Sequence, residues 1–69
     1  MPNPNEARQA IAIRLRAARE QAGLSQAEAA DLLGYTQQAI SLWEKGIPPK
    51  EAYWKFLILK LKENYGKRN

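Results

Sequence analysis

The sequence predicts an all-α fold, a small bundle of four or five helices in which two are joined as a helix-turn-helix. Two observations carry this. Apolar residues recur at helical spacing in the segments 11–22, 27–43 and 54–65. The stretch LSQAEAADLLGYTQQAISLWEKG, residues 24–46, also places helix start and stop signals in the order that two short helices require. At 69 residues, 45% of them hydrophobic, the chain has enough apolar material for one small core and lies well above the disordered class. Residues 1–69 are therefore expected to form a single domain.

The chain begins with a polar, proline-bearing lead. In Asn3-Pro4-Asn5-Glu6, Asn3 suits an N-cap, Pro4 the first helical position and Glu6 the return contact; Asn5 is an alternative cap. The first helix is expected to run to about Ala22, with Gly23 as its stop. Ile11, Leu15, Ala18 and Ala22 make its core stripe, and Arg8, Arg16 and Glu20 lie elsewhere. Ile13 falls off that stripe, placed to touch another element or a partner.

The helix-turn-helix core is expected over residues 25–45. Ser25 with Glu28 three residues later forms a capping box, in which hydroxyl and carboxylate satisfy orphan N–H groups reciprocally. The first of the two helices runs to Leu33, and Gly34 can take the left-handed conformation that closes it. Thr36 caps the second, which spans Gln37 to Lys45 and stops at Gly46. Ala27, Ala30 and Leu33, then Ile40 and Trp43, form the inward faces. Small alanines let the two helices cross closely. Outward, Thr36, Gln37, Gln38 and Ser41 cluster at the N-terminal end of the second helix. They carry donors and acceptors without charge, as base-edge recognition needs; glutamine can pair bidentately with the N6/N7 edge of adenine. The alternative for any single one of them is a solvated polar cap.

After Gly46, Ile47-Pro48-Pro49-Lys50 forces an extended corner, and Pro49 suits the start of a last helix from Glu51 to about Tyr65. Lys45 and Lys50 flank the corner as phosphate candidates. On the last helix Trp54, Leu57, Ile58, Leu61 and Tyr65 form a full apolar stripe, while Ala52, Phe56 and Leu59 form a second patch nearly opposite. Glu51, Lys55 and Lys62 occupy a narrow polar strip. A helix that is apolar on two sides is buried on two sides, and so small a bundle covers only one. Ala52, Phe56 and Leu59 are therefore expected to meet a second copy of the chain.

Composition narrows the function further. Eleven Lys and Arg against seven Asp and Glu give a formal charge of +4 and a pI near 9.7, which draws polyanions through counterion release. There is no cysteine and no histidine. Disulfides, thiolate metal sites and the common nucleophile–base pairs are thus excluded, and no cofactor or enzymatic activity is expected. A metal site built from Glu28 and Asp31 is conceivable, but these are i, i+3 neighbours on a surface helix. Neither a signal peptide nor an apolar run long enough for a bilayer is visible, so a cytoplasmic location is expected.

The segment GLSQAEAADLLGYTQQAISLWEKG resembles the helix-turn-helix of the Cro/C1-type (XRE) regulators, which include the lambdoid phage repressors and Cro proteins. The resemblance rests on Gly23-Leu24-Ser25-Gln26, Ala30, Gly34, Thr36-Gln37-Gln38, Ile40 and Trp43-Glu44-Lys45-Gly46, extends upstream to Arg19, and covers about half the chain. It implies a lambda-repressor-like bundle that binds operator DNA as a dimer, in a bacterial or phage-encoded setting. It also implies an ion pair between Arg19 and Glu44, tying the first helix to the end of the recognition helix. Two departures stand out. Ala29 takes the place of a larger aliphatic residue, and the segment after Pro49 does not match the family's usual paired helices.

The function expected is a sequence-specific double-stranded-DNA-binding transcriptional regulator, a repressor acting by operator occupancy. Thr36, Gln37, Gln38, Ser41 and Leu42 would contact bases of an inverted-repeat operator; Gln26, Lys45 and Lys50 would contact phosphates. The homodimer would be weak off DNA, and no small-molecule ligand is expected. A protein-interaction module and an antitoxin or restriction-modification controller on the same fold are the competing readings.

Overall fold

The computed structural model describes residues 4–49 and 53–64. Four helices follow in chain order: α1 (Pro4–Gln21), α2 (Gln26–Leu33), α3 (Gln37–Glu44) and α4 (Tyr53–Lys62). No strand occurs among the described residues. The architecture is the all-α, helix-turn-helix-containing bundle that the sequence predicts.

Along α1, Leu15 and Ala18 are buried, as is Ala22 just past its end, and Ile11 packs half-buried against the core. Ala12 is buried as well, so the stripe is wider than its four predicted members. Ile13 remains 66% exposed. The proposed cap Asn3 lies outside the described residues.

The start of α2 is a complete capping box. The Ser25 hydroxyl accepts from the Glu28 N–H at 3.1 Å, and the Glu28 carboxylate accepts from the Ser25 N–H at 2.9 Å. At the other end Gly34 sits at φ 80°, ψ 30°, where a side chain would strain the backbone. From there its N–H and that of Tyr35 both reach the Ala30 carbonyl at 2.9 Å, which closes the helix. The inward face needs one correction: Ala27 is exposed, and the buried pair is Ala29 and Ala30. The spacing 27, 30, 33 loses roughly 60° per step on a helix of 3.6 residues per turn. Its first member therefore drifts out of the arc that Ala29, Ala30 and Leu33 occupy.

The Thr36 hydroxyl accepts from the Ala39 N–H at 3.1 Å and caps α3, with Lys45 closing the far end. On α4, Leu57 and Leu61 are buried, and Trp54 and Ile58 pack half-buried beside them. Glu51, Ala52 and Tyr65 lie outside the described residues. The helix stops at Lys62, short of the expected Tyr65. Asn64 explains this, since its side-chain amide donates to the Lys60 carbonyl at 3.1 Å and competes with the backbone for the last turn.

The core forms where the helix-turn-helix meets α1 and α4. One cluster joins Leu15, Ala30, Ile40, Trp43 and Leu57, one or more residues from every helix. A second joins Ala18, Ala29 and Leu61. Ala29 is only 1% exposed, and the void it borders, shared with Leu33 and Leu61, holds about 10 Å³. The core has therefore closed around the small side chain. Ala29→Leu, which restores the larger residue, should overpack this site and lower stability by about 1–3 kcal/mol, measured as a reduced midpoint in thermal or urea unfolding. An unchanged or raised midpoint would show that the core had kept room there.

Candidate nucleic-acid interface

Capping at Thr36 fixes where α3 begins and therefore which side chains its first turn presents. Thr36, Gln37, Gln38 and Leu42 are exposed and Ser41 is half-buried. Thr36, Gln37 and Gln38 lie at the end of the helix where unpaired N–H groups and the macrodipole favour negative ligands, and Ser41 and Leu42 continue the face toward its C-terminal turn. The first turn holds no carboxylate. The Thr36 oxygen is engaged by the Ala39 N–H, which leaves its hydroxyl proton free to donate outward. The Gln37 and Gln38 amides carry both donor and acceptor functions. The arrangement can hydrogen-bond the edges of bases or phosphate oxygens, and it brings no negative charge toward them.

The acid of α3, Glu44, sits at the opposite end, and its charge is neutralised inside the molecule. Arg19 Nε donates to Glu44 Oε2 at 2.6 Å and Nη2 to Oε1 at 3.1 Å, a two-pronged fork. The third nitrogen, Nη1, donates to the Leu24 carbonyl at 2.8 Å. The two side chains are only 13% and 7% exposed. Hydrogen bonding to Glu44 holds the Arg19 guanidinium above its usual value; burial opposes this, and the charges of Glu44 and Glu20 add to it. One guanidinium thereby joins the last turn of α1, the entry to α2 and the end of α3.

Gln26 belongs to the same network. Its Nε2 donates to Glu44 Oε1 at 3.1 Å, so one of its two amide protons is engaged within the protein. At the corner after α3, Lys45 is exposed, whereas Lys50 lies outside the described residues. Gly46 has φ 108°, and the Gln9 amide nitrogen lies 2.6 Å from where a Cβ would stand. The Gln9 amide is the end of a flexible, exposed side chain and can swing aside, so it is the positive φ that calls for glycine here.

Tyr35, in the turn between α2 and α3, is a contributor the sequence analysis passed over. Its ring meets Trp43 edge-on at 4.8 Å and approaches Tyr53 of α4 at 6.2 Å, and Tyr53 in turn lies 5.5 Å from Phe56. Partial desolvation, then the Tyr53 hydroxyl, push the phenol of Tyr35, an exposed residue, above the usual tyrosine range. An aromatic between a glycine stop and a threonine cap was the available signal. On the outer side of α4, Phe56 and Leu59 are 54% and 59% exposed; Ala52 falls outside the described residues. Of the conceivable metal pair, Glu28 is engaged as a cap, and among the described residues no cluster of three metal-ligating side chains forms. No helix among them is long and apolar enough to cross a membrane.

The ion-pair network generates a direct expectation. Glu44→Ala strands the mostly buried Arg19 and should cost about 3 kcal/mol, because the guanidinium loses its counter-charge without regaining water. Glu63→Ala, at an exposed position, should leave the melting midpoint nearly unchanged. Equal midpoints for the two variants would mean that the fork contributes no more than a solvated surface charge does.

A helix-turn-helix family model matches residues 15–62, from the middle of α1 to the end of α4. No curated protein and no solved structure gives a significant match to the chain. The matched span contains the capped helix pair, the Arg19–Glu44 fork and the outward face of α3. The chain belongs to the Cro/C1-type (XRE) helix-turn-helix family of DNA-binding transcription regulators.

Proposed function

We propose that this protein represses transcription by occupying a specific operator, its 69 residues acting as one DNA-binding unit. The observation that carries the reading is the outward face of α3. Its N-terminal end exposes Thr36, Gln37 and Gln38 and bears no acid in its first turn, while Glu44 is neutralised by Arg19. Lodged in a major groove, this face would set Gln37, Gln38 and Ser41 against base edges and Leu42 against a thymine methyl. Lys45 and Lys50 would contact the flanking phosphates. Gln26 would use its second amide proton on another phosphate, held in place by the bond of its first to Glu44. No effector domain is needed in this scheme, because occupancy of the operator is itself the output.

The working unit in this reading is a homodimer. Phe56 and Leu59 are large apolar side chains left in solvent by the bundle, which a two-fold partner would meet with its own; the sequence pattern assigns Ala52 to the same contact. Two recognition helices would then address successive turns of one DNA face, about 34 Å apart, on an inverted repeat. So small a patch makes a weak dimer in free solution and a firm one on the operator.

Base contacts and phosphate contacts predict different losses. Gln38→Ala should cost ~1–3 kcal/mol on the preferred site and relax selectivity at one position. Lys45→Ala should weaken specific and random duplexes alike and reduce the salt slope by about one. If both substitutions act equally on specific and random DNA, α3 is not the reading element. For assembly, Phe56→Lys should sediment as a monomer with and without an inverted-repeat duplex, while the parent dimerises on that duplex. A parent that remains monomeric on the duplex, or a variant that assembles normally, would falsify the dimer.

A further inference from the structure

Behind the proposed DNA-reading face, α1 and α4 leave a groove of about 450 Å³ between them. Its floor is apolar, made by Ala17 and Ala18 of α1 and by Trp54 and Ile58 of α4. Its rim is cationic. Arg14 stands on the α1 side, Lys55 and Lys62 on the α4 side, all three exposed. Among the described residues no carboxylate lines it. The Lys55 ammonium lies 5.6 Å from the centre of the Trp54 ring, so charge and apolar floor adjoin. On α1, Arg14 and Ala17 project roughly 140–160° around the helix from Arg19, at 100° per residue, and Arg19 marks the flank turned toward α3. The groove and the α3 face therefore occupy different sides of the molecule. On α4 the groove also uses a different flank from Phe56 and Leu59.

We infer that this groove docks an acidic amphipathic helix of a partner protein, whose apolar side chains enter over Trp54 and Ile58 and whose carboxylates meet Arg14, Lys55 and Lys62. Charge complementarity selects the partner's sign, because three cations with no carboxylate among the described lining residues repel a basic segment. Dimensions select a helix. Lys55 and Lys62 are seven residues apart, about two turns or ~10 Å along α4, which matches apolar anchors at i, i+3 or i+4, and i+7 laid in a groove. An enclosed pocket for a small molecule would bury most of its ligand. Here the walls are largely solvent-exposed side chains and the trough lies open along its length. The docking surface does not depend on the DNA-reading assignment, since it shares no residue with it.

Selection of about dozen-residue peptides from a random display library on the intact protein tests this. Enriched peptides should combine apolar anchors at helical spacing with several Asp or Glu. A synthetic copy should shift the Trp54 emission to the blue, a change lost in Trp54→Phe. The double variant Arg14→Gln, Lys62→Gln alters only exposed positions; it should melt like the parent and bind that peptide several-fold more weakly. Random-duplex affinity should change far less than in Lys45→Ala. Enrichment with no acidic-apolar pattern overturns the proposal, and so does a selected peptide that binds parent and double variant equally. Loss of duplex binding in the double variant as large as that in Lys45→Ala also overturns it, by assigning these cations to DNA.

Discussion

The position of the recognition helix depends on one guanidinium. Arg19 spends all three nitrogens, two on Glu44 and one on the Leu24 carbonyl, and Glu44 holds Gln26 as well. Four points on three helices and one turn are fixed by a group that is planar, permanently charged and mostly out of water. A buried pair of this kind adds little net stability, because desolvation offsets much of the attraction. It does add geometry. The fork admits one relative placement of α1 and α3, and α3 is the element whose outward face must match a groove in DNA. The fork also takes the sole acid of α3 out of the field that a phosphate backbone would meet.

Packing supplies what the fork does not. Trp43, near Glu44, lies in the cluster shared with Leu15, Ala30, Ile40 and Leu57, and Tyr35 leans on its ring from the turn. The same tyrosine reaches Tyr53 and, through it, the neighbourhood of Phe56. A continuous run of aromatic contacts thus leads from the helix-turn-helix to the outer patch on α4. Two rings, Tyr53 and Tyr35, connect Phe56 to Trp43 of α3. The groove on the other flank of α4 is separate from this run. Two surfaces on one short helix follow from its sequence, in which apolar positions occupy more of the circumference than the core can use.

Local chemistry was legible in the sequence, and long-range chemistry mostly was not. The capping box at Ser25 and Glu28, the left-handed Gly34 and the Thr36 cap each depend on residues within a turn, so their spacing alone indicates them. The two-sided character of α4 was equally plain from Leu57, Leu61, Phe56 and Leu59. Ala27 and Ala29 were misassigned because two alanines carry no size signal and only the arc of the helix distinguishes them. Gln26 and Glu44 are 18 positions apart, and no local rule brings them together. Arg19 and Glu44, 25 apart, were linked by family resemblance and not by spacing. Tyr35 escaped notice because a ring in a turn declares its partner only once the helices are placed.

The central claim is that the N-terminal face of α3 reads base sequence. The most direct measurement is selection of bound duplexes from a random library at physiological salt, followed by sequencing. The account predicts convergence on a short motif arranged as an inverted repeat, with half-site centres about one helical turn apart, and loss of selectivity at a defined position when the selection is repeated with Gln38→Ala. Recovery of unenriched sequence from protein that still binds DNA in a salt-dependent way would contradict it, leaving a basic bundle that holds phosphates without reading bases.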